Sequence, residues 1–245
     1  MGKQISLVKF VGKLDNVVGY VNRNGEAIIR SKRESPYNPQ TEAQMKQRVS
    51  FATANALAAI VKLGAIGFAP YAKHLGMSVR NALTRQNLRN GAVTAGMSGD
   101  KMVGEIEWSE VELSRGVAAN VRFSPVSTQE PQTVKASYTP IGSVEGDPDD
   151  IIMVAVSESM RQCVLQRTRF SRISPDAKID FAPIWSGEEV HVFAYTLSFG
   201  DDEETRARVH TMWDGGAIEA NAQFIQLLSD AEFSSTDYLG TATIS

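Results

Sequence analysis

Asn16-Val17-Val18-Gly19-Tyr20-Val21-Asn22-Arg23-Asn24-Gly25-Glu26-Ala27-Ile28-Ile29-Arg30-Ser31-Lys32-Arg33 is the stretch from which the front of the chain can be read. Two short apolar runs, 17–21 and 27–29, flank Asn24-Gly25, and both of those residues tolerate the positive φ of a tight hairpin connection. The pattern predicts a β-hairpin whose second strand runs out into Arg30, Lys32 and Arg33. Pro36 and Pro39 then favour an extended connection. Thr41 and Gln44 stand three apart, the spacing at which a hydroxyl and an amide each satisfy an unpaired backbone N–H at a helix start.

Working outward, a helix is predicted from Thr41 to about Lys62, with Met45, Val49, Ala52, Ala56 and Ile60 on its inner face. Its many alanines permit close approach to a second helix, and Gly64 and Gly67 end it. Pro70 suits the first turn of that second helix. It is expected over 71–89, with Leu75, Val79 and Leu83 inward, Lys73, Arg80, Arg85 and Arg89 outward, and Asn90-Gly91 closing it. The small residues between Gly91 and Gly104 read as a linker.

Beyond the linker the apolar period changes to two. Strands are expected at 105–113, 119–123, 133–138, 151–156, 163–168, 178–181, 190–199 and 238–244, separated by turns, which predicts a β-sandwich. The runs 151–156 and 190–199 are apolar on both faces and read as central strands. The acidic run Asp201–Glu204 reads as a solvated turn opening an insertion near 200–230, with a short helical run at 217–228. Insertions at sandwich ends often carry contacts.

Several motifs carry a resemblance. They are Met1-Gly2-Lys3, Gly12-Lys13 with Asn16-Val17-Val18-Gly19, Ile29-Arg30-Ser31-Lys32, and Asn38-Pro39-Gln40-Thr41. Further on stand Arg80-Asn81-Ala82 with Asn87-Leu88, Trp185-Ser186-Gly187-Glu188-Glu189-Val190, and Asp237-Tyr238-Leu239-Gly240. Together they resemble an uncharacterised family, a domain of unknown function common in Bacteroidota and their mobile elements, across nearly the whole chain. The resemblance implies a helical N-terminal part and an immunoglobulin-like C-terminal part, with a short hairpin where this chain has its insertion. It brings no catalytic residues. The expected class is therefore α+β. A basic β-hairpin and a two-helix hairpin occupy 1–95, and an immunoglobulin-like sandwich occupies 96–245.

Charge is divided along the chain. Fourteen Lys and Arg but only four Asp and Glu precede Gly91, a formal +10; the remaining 11 basic and 24 acidic residues give −13. Such asymmetry points to a basic module meant for an anionic partner or for the acidic part of a neighbouring copy. Cys163 is the only cysteine, so no intrachain disulfide can form, and a buried strand position is expected for it. The N-terminal run 5–11 is too short and too interrupted by lysine for a signal peptide. No segment reaches membrane-spanning length. The chain is expected to be soluble, cytoplasmic or assembled into a virion, with no membrane partner.

The sequence shows no recognised catalytic motif. His74, His191 and His210 have no metal spacing with one another or with Cys163. Asp147, Asp149 and Asp150 form only a fragment of a calcium loop, lacking its terminal bidentate glutamate. There is no nucleophile elbow, phosphate loop or dinucleotide fingerprint. No enzyme, metal, cofactor or small-molecule substrate is expected. The candidate contacts to an anionic partner are Lys13, Tyr20, Arg23, Arg30, Lys32, Arg33, Lys46 and Arg48, with Tyr37 a second stacking aromatic. A non-enzymatic structural or assembly protein is the expectation. It would contact other subunits, homo- or hetero-oligomeric, through this basic part, as in a phage or mobile-element particle. The alternative is a stand-alone, sequence-tolerant nucleic-acid-binding protein with DNA as its partner.

Overall fold

Strands Asp150–Ser157 and Glu189–Ser198 pair antiparallel and carry almost no exposed side chain over most of their length. A strand with protein on both faces must be apolar on both, and so reads as a continuous hydrophobic run. The computed structural model describes residues 2–3, 10–22, 25–32, 40–117, 121–214 and 222–245. It divides them into two compact units, Met1–Glu42 and Ala43–Ser245.

The first unit holds β1 (Gly2–Lys3), β2 (Gly12–Leu14), β3 (Val17–Val21) and β4 (Ala27–Ser31) in one antiparallel sheet of order β1-β4-β3-β2. The expected hairpin is β3–β4. Its loop is longer than a two-residue turn, because Val21 pairs with Ala27 and five residues intervene. Asn22 closes the loop through its side chain. Its Nδ2 donates to Glu26 Oε2 at 2.9 Å, and its Oδ1 accepts from the Glu26 N–H at 2.9 Å. Arg23 and Asn24 lie outside the described residues, as do Arg33 and the Pro36–Pro39 connection.

The second unit opens with α1 (Glu42–Ile60), α2 (Ala69–His74) and α3 (Val79–Arg89), followed by β5 (Val93–Ser98) and β6 (Lys101–Ile106). Then come β7 (Val121–Phe123), β8 (Ser127–Glu130), β9 (Thr133–Pro140), β10 (Asp150–Ser157), β11 (Gln162–Arg169), β12 (Asp176–Asp180) and β13 (Glu189–Ser198). Helices α4 (Glu203–Asp214) and α5 (Ala222–Leu228) and strands β14 (Glu232–Phe233) and β15 (Asp237–Thr243) complete it. The central sheet has the order β11-β10-β13-β14, with β15 also on β13; a second sheet runs β12-β9-β7, with β8 on β9. The side chains of β10 and β13 alternate between two cores. Ile151, Met153, Val192 and Ala194 face the second sheet with Val134, Tyr138 and Ile179. Ile152, Val154, Phe193, Tyr195 and Leu197 face the helices with Leu57, Ile66, Leu83 and Trp213. The unit is thus three layers: helices, central sheet, second sheet.

Several expectations are corrected here. The buried face of α1 is Ala54, Leu57 and Ala58, continued by Val61, whereas Met45 and Ala52 are exposed. The second helix is two helices, α2 and α3. Gly76 takes φ +62 after α2, and Ser78 caps α3 by accepting from the Asn81 N–H at 3.3 Å. The linker is the β5–β6 hairpin, in which Ser98 pairs with Lys101 around Gly99 at φ +60. The strand expected at 105–113 is the end of β6 followed by a 3₁₀ turn at Trp108–Glu110. A boundary at 95/96 would cut through β5, and the helices share a core with the central sheet. The acidic run is the start of α4: Asp202 Oδ1 accepts from the Thr205 N–H at 2.9 Å, and Glu203 and Glu204 occupy the first turn, where carboxylates suit the helix dipole. Of the helical run at 217–228, residues 222–228 are α5, and 217–221 lie outside the described residues. Val209 and Trp213 of α4 and Phe224 and Leu228 of α5 enter the helical core, so the insertion is part of the layer.

Glycine fits the helices to the sheet. A Cβ on Gly64 would lie 2.5 Å from Val154 Cγ1, and one on Gly67 would lie 2.2 Å from Ser114 Cβ. The turn between α1 and α2 therefore lies almost directly on β10, which no larger residue permits. Asn87 of α3 does the same work with hydrogen bonds. Its Nδ2 donates to Glu112 O at 2.9 Å and to Leu83 O at 3.1 Å, and its Oδ1 accepts from the Glu112 N–H at 2.9 Å. A buried amide with its bonding capacity used fixes the 110–113 segment against α3.

Candidate basic interface

The register of the first unit brings the described candidate residues together. Lys13 pairs with Val18, Val18 with Arg30, and Tyr20 with Ile28. Residues opposite one another, and residues two apart along a strand, share a face. Lys13, Tyr20 and Arg30 thus lie on one face of the sheet, with Val18 and Ile28 between them. The Arg30 guanidinium carbon stands 5.7 Å from the centre of the Tyr20 ring, within cation–π range. Lys32 is exposed at the end of β4, its N–H bonded to Asn16 O at 2.6 Å. The opposite face carries Gly19, where a Cβ would lie 2.3 Å from Phe10 O. Glycine is needed there because the backbone at Phe10 crosses the strand.

Lys46 and Arg48 belong to the second unit, on the first half of α1, and both are exposed. They border a groove of about 540 Å³ with Phe51, Leu88 and Val93. Phe51 is 56 % exposed and is the aromatic that accompanies the helix cations. Sequence reasoning missed it. The predicted inner face of Met45, Val49, Ala52, Ala56 and Ile60 leaves Phe51 out; it stands on the stripe of Ala54 and Ala58, three and seven residues on, yet lies open beside Leu88 and Val93. Arg23, Arg33 and Tyr37 lie outside the described residues.

Among the described residues, no ion pair ends on Lys13, Arg30, Lys32 or Lys46. Lys62, Arg85 and Lys101 of the second unit likewise end no ion pair among the described residues, while several other charges there find partners. Lys73 is bonded to Asp230. The three aspartates of the calcium-like fragment are all taken up by cations of their own unit. Asp147 is bound by Arg172 through Nε and Nη2, both at 2.6 Å. Asp149 Oδ1 lies 2.9 Å from Arg206 Nε, while its Oδ2 accepts from the Phe199 N–H at 2.7 Å. Asp150, fully buried, meets Arg167 Nη1 at 3.2 Å and His210 Nε2 at 2.8 Å. This cluster pins α4 to the central sheet.

His191 is half-buried, stacked on Trp108 with ring centres 4.2 Å apart, and its Nδ1 lies 3.2 Å from Tyr238 Oη. Burial lowers its pKa, an effect that Glu189 and Glu158 oppose. Burial raises the pKa of the Cys163 thiol on β11, which packs against the helical core. Among the described residues no three His, Cys, Asp or Glu side chains are grouped to hold a metal, and no helix is long and apolar enough to cross a membrane.

One family model, described as a family of unknown function (DUF6266), matches residues 9–207. No curated protein matches the chain.

Proposed function

The chain belongs to the DUF6266 family of unknown function, and from its own surfaces we propose that it is a non-enzymatic assembly protein whose basic N-terminal part docks on an anionic surface of another subunit. The observation that carries this reading is the face shared by Lys13, Tyr20 and Arg30, whose cations have no ion-pair partner among the described residues. Exposed charges of one sign raise encounter rates and fix orientation more than they add affinity. That suits subunits that must add in one register. The particle of a phage or mobile element is the assembly proposed. The two stacked antiparallel sheets support an immunoglobulin-like reading of the C-terminal part, a scaffold whose fold alone implies no activity.

A second reading is favoured by the aromatics. Tyr20 beside Arg30, and Phe51 beside Lys46 and Arg48, are the combination that holds single-stranded nucleic acid by stacking and phosphate contact. Native mass spectrometry of the untagged chain, with and without DNA, separates the two. Assembly without DNA affinity supports the first reading. A monomer that binds DNA and releases it as salt rises replaces it with the second.

A further inference from the structure

We infer that strand β6 is a docking edge for the same strand of a second copy of this chain, the two β5–β6 hairpins joining antiparallel about a twofold axis into one four-stranded sheet. This contact goes beyond the basic face and does not depend on it.

The β5–β6 hairpin stands outside both stacked sheets, and no third strand joins it among the described residues. Its register, with the bond from the Glu107 N–H to Ala92 O at 2.8 Å, fixes which rungs are hydrogen-bonded. Bonded and non-bonded pairs alternate along an antiparallel ladder. Thr94–Glu105, Gly96–Val103 and Ser98–Lys101 are therefore bonded pairs, and the N–H and C=O groups of Met102, Gly104 and Ile106 point away from β5. None of these groups has a partner among the described residues. Strand β5 turns outward the groups of Val93, Ala95 and Met97, but Val93 and Ala95 are buried. On β6, Lys101, Val103, Gly104 and Glu105 are all exposed. The open edge is that of β6, and an open edge is a template for another strand.

Strand β6 is complementary to itself in one register. A Cβ on Gly104 would lie 1.8 Å from Thr53 Oγ1, so Met102, Gly104 and Ile106 face α1, while Lys101, Val103 and Glu105 face outward. A twofold axis normal to the sheet keeps those faces in place. Centred on Val103, it sets each Met102 opposite Gly104 of the other copy, and the two residues exchange both backbone hydrogen bonds. On the outward face Val103 meets Val103, and each Lys101 stands opposite a Glu105, the cross-strand arrangement that opposite charges favour. On the inner face the long Met102 lies beside the position that has no side chain. One pairing step either way sets Val103 against Lys101 or Glu105 and undoes both matches. In the single copy the Glu105 carboxylate lies over Gly96, 2.4 Å from where a Cβ would stand. It is exposed and ends no hydrogen bond or ion pair among the described residues, so rotation of its side chain brings it to the edge. Each hairpin carries its own α1 on the inner face, and two strands span about the width of one helix, so two helices fit beneath four strands. Pairing along one short edge belongs with the small, transient interfaces, and the contact is read by trapping it.

Single cysteines at exposed positions of the full chain read the register. Val103→Cys sets its sulfur opposite that of its mate, in a pair whose Cα atoms stand about 4.5 Å apart, which a disulfide spans. Lys101→Cys and Glu105→Cys each lie about 13 Å from their own mates along the strands, but opposite one another. Thermal melts matching the wild type establish that the variants fold, and the wild type, with Cys163 alone, gives the background. With oxidised glutathione as the oxidant, Val103→Cys is expected to form covalent dimer about tenfold faster than Lys101→Cys or Glu105→Cys alone, measured by intact mass. An equimolar mixture of those two is expected to give the mixed dimer faster than either gives its own. Adding Met102→Pro to Val103→Cys removes an outward N–H at a position where an edge strand accepts proline, and should return the rate to that of the controls. Val103→Cys no faster than the two controls overturns the contact. Faster dimers of Lys101→Cys or Glu105→Cys alone overturn the register, and dimers that persist in the folded Met102→Pro form overturn strand pairing. The charges of the hairpin face are unchanged in every variant, so each of these failures leaves the assembly reading where it stood.

Discussion

Tyr195 Oη donates a hydrogen bond of 2.9 Å to the carbonyl oxygen of Gly64. It joins the middle of β13 to the turn between α1 and α2, and so the central sheet to the helical layer. Tyr195 is fully buried, and burial holds its phenol well above the ordinary tyrosine pKa. Tyr195→Phe keeps the ring and leaves the Gly64 carbonyl buried without that donor. The expected cost is about 1–3 kcal/mol of unfolding free energy. Urea titration at neutral pH measures it.

Arg167 is nearly as deeply placed. It reaches Asp150 and Asp214 and lies over the Trp213 ring at 5.4 Å. Arg167→Met retains the aliphatic stem but strips a buried carboxylate of a cation, a change that costs about 3–5 kcal/mol in buried pairs. Chemical denaturation should show it. Replacing Asp150 by Asn in the same chain should recover part of the loss, because the charge left behind, more than the missing attraction, carries the penalty.

His191 gives the fold a pH dependence with a definite sign. Burial lowers its folded-state pKa below the unfolded value of about 6.5. Above the unfolded value both states are neutral and the contribution to stability is fully present. As pH falls through the depressed folded value, the unfolded state gains the proton first and stability is lost. The difference in melting temperature between wild type and His191→Gln should therefore change as pH falls below that of the free imidazole and be constant above it.

Cys163 should react slowly. Its raised thiol pKa leaves little thiolate at neutral pH, and β11 packs it against the helical core. Alkylation followed by intact mass is expected to be slow in the folded chain and fast in denaturant. Rapid labelling of the native protein would contradict the placement.

What could be read in advance follows from how unambiguous each local signal is. The residues of β10 and β13 are apolar on both faces, and no solvent-facing arrangement accommodates them. Helix α1 was legible in length but not in orientation. Ala52 and Ala56 look the same as Ala54 and Ala58, and only Leu57 and Val61 distinguish the faces. The break between α2 and α3 was written in Gly76 and Ser78, but the apolar spacing of Leu75, Val79 and Leu83 runs straight across it. The β5–β6 hairpin hid among small residues, although Gly99-Asp100 is a turn pair that suits such a loop. The partners of Asp149 and Asp150 come from strands and helices distant in the chain, so no local pattern could reveal them. In the candidate interface, the five-residue loop sets the register that puts Tyr20 and Arg30 on one face; a two-residue Asn24-Gly25 turn would pair Tyr20 with Ile29 and send Arg30 to the other face, so the grouping could not be read from the sequence. The outward turn of Phe51 needed the packing of α1.

The most direct test of the account reverses the hairpin face. Lys13→Glu with Arg30→Glu changes exposed side chains on one sheet face and should leave the melting temperature near that of the wild type. Light scattering of both proteins, without nucleic acid and over a range of salt, measures whether that face meets a partner. The wild type is expected to associate and to weaken as salt screens the contact, while the reversed form should not associate at any salt. Equal association of the two proteins, or none by the wild type, would contradict the claim that these cations serve a negative surface outside the molecule.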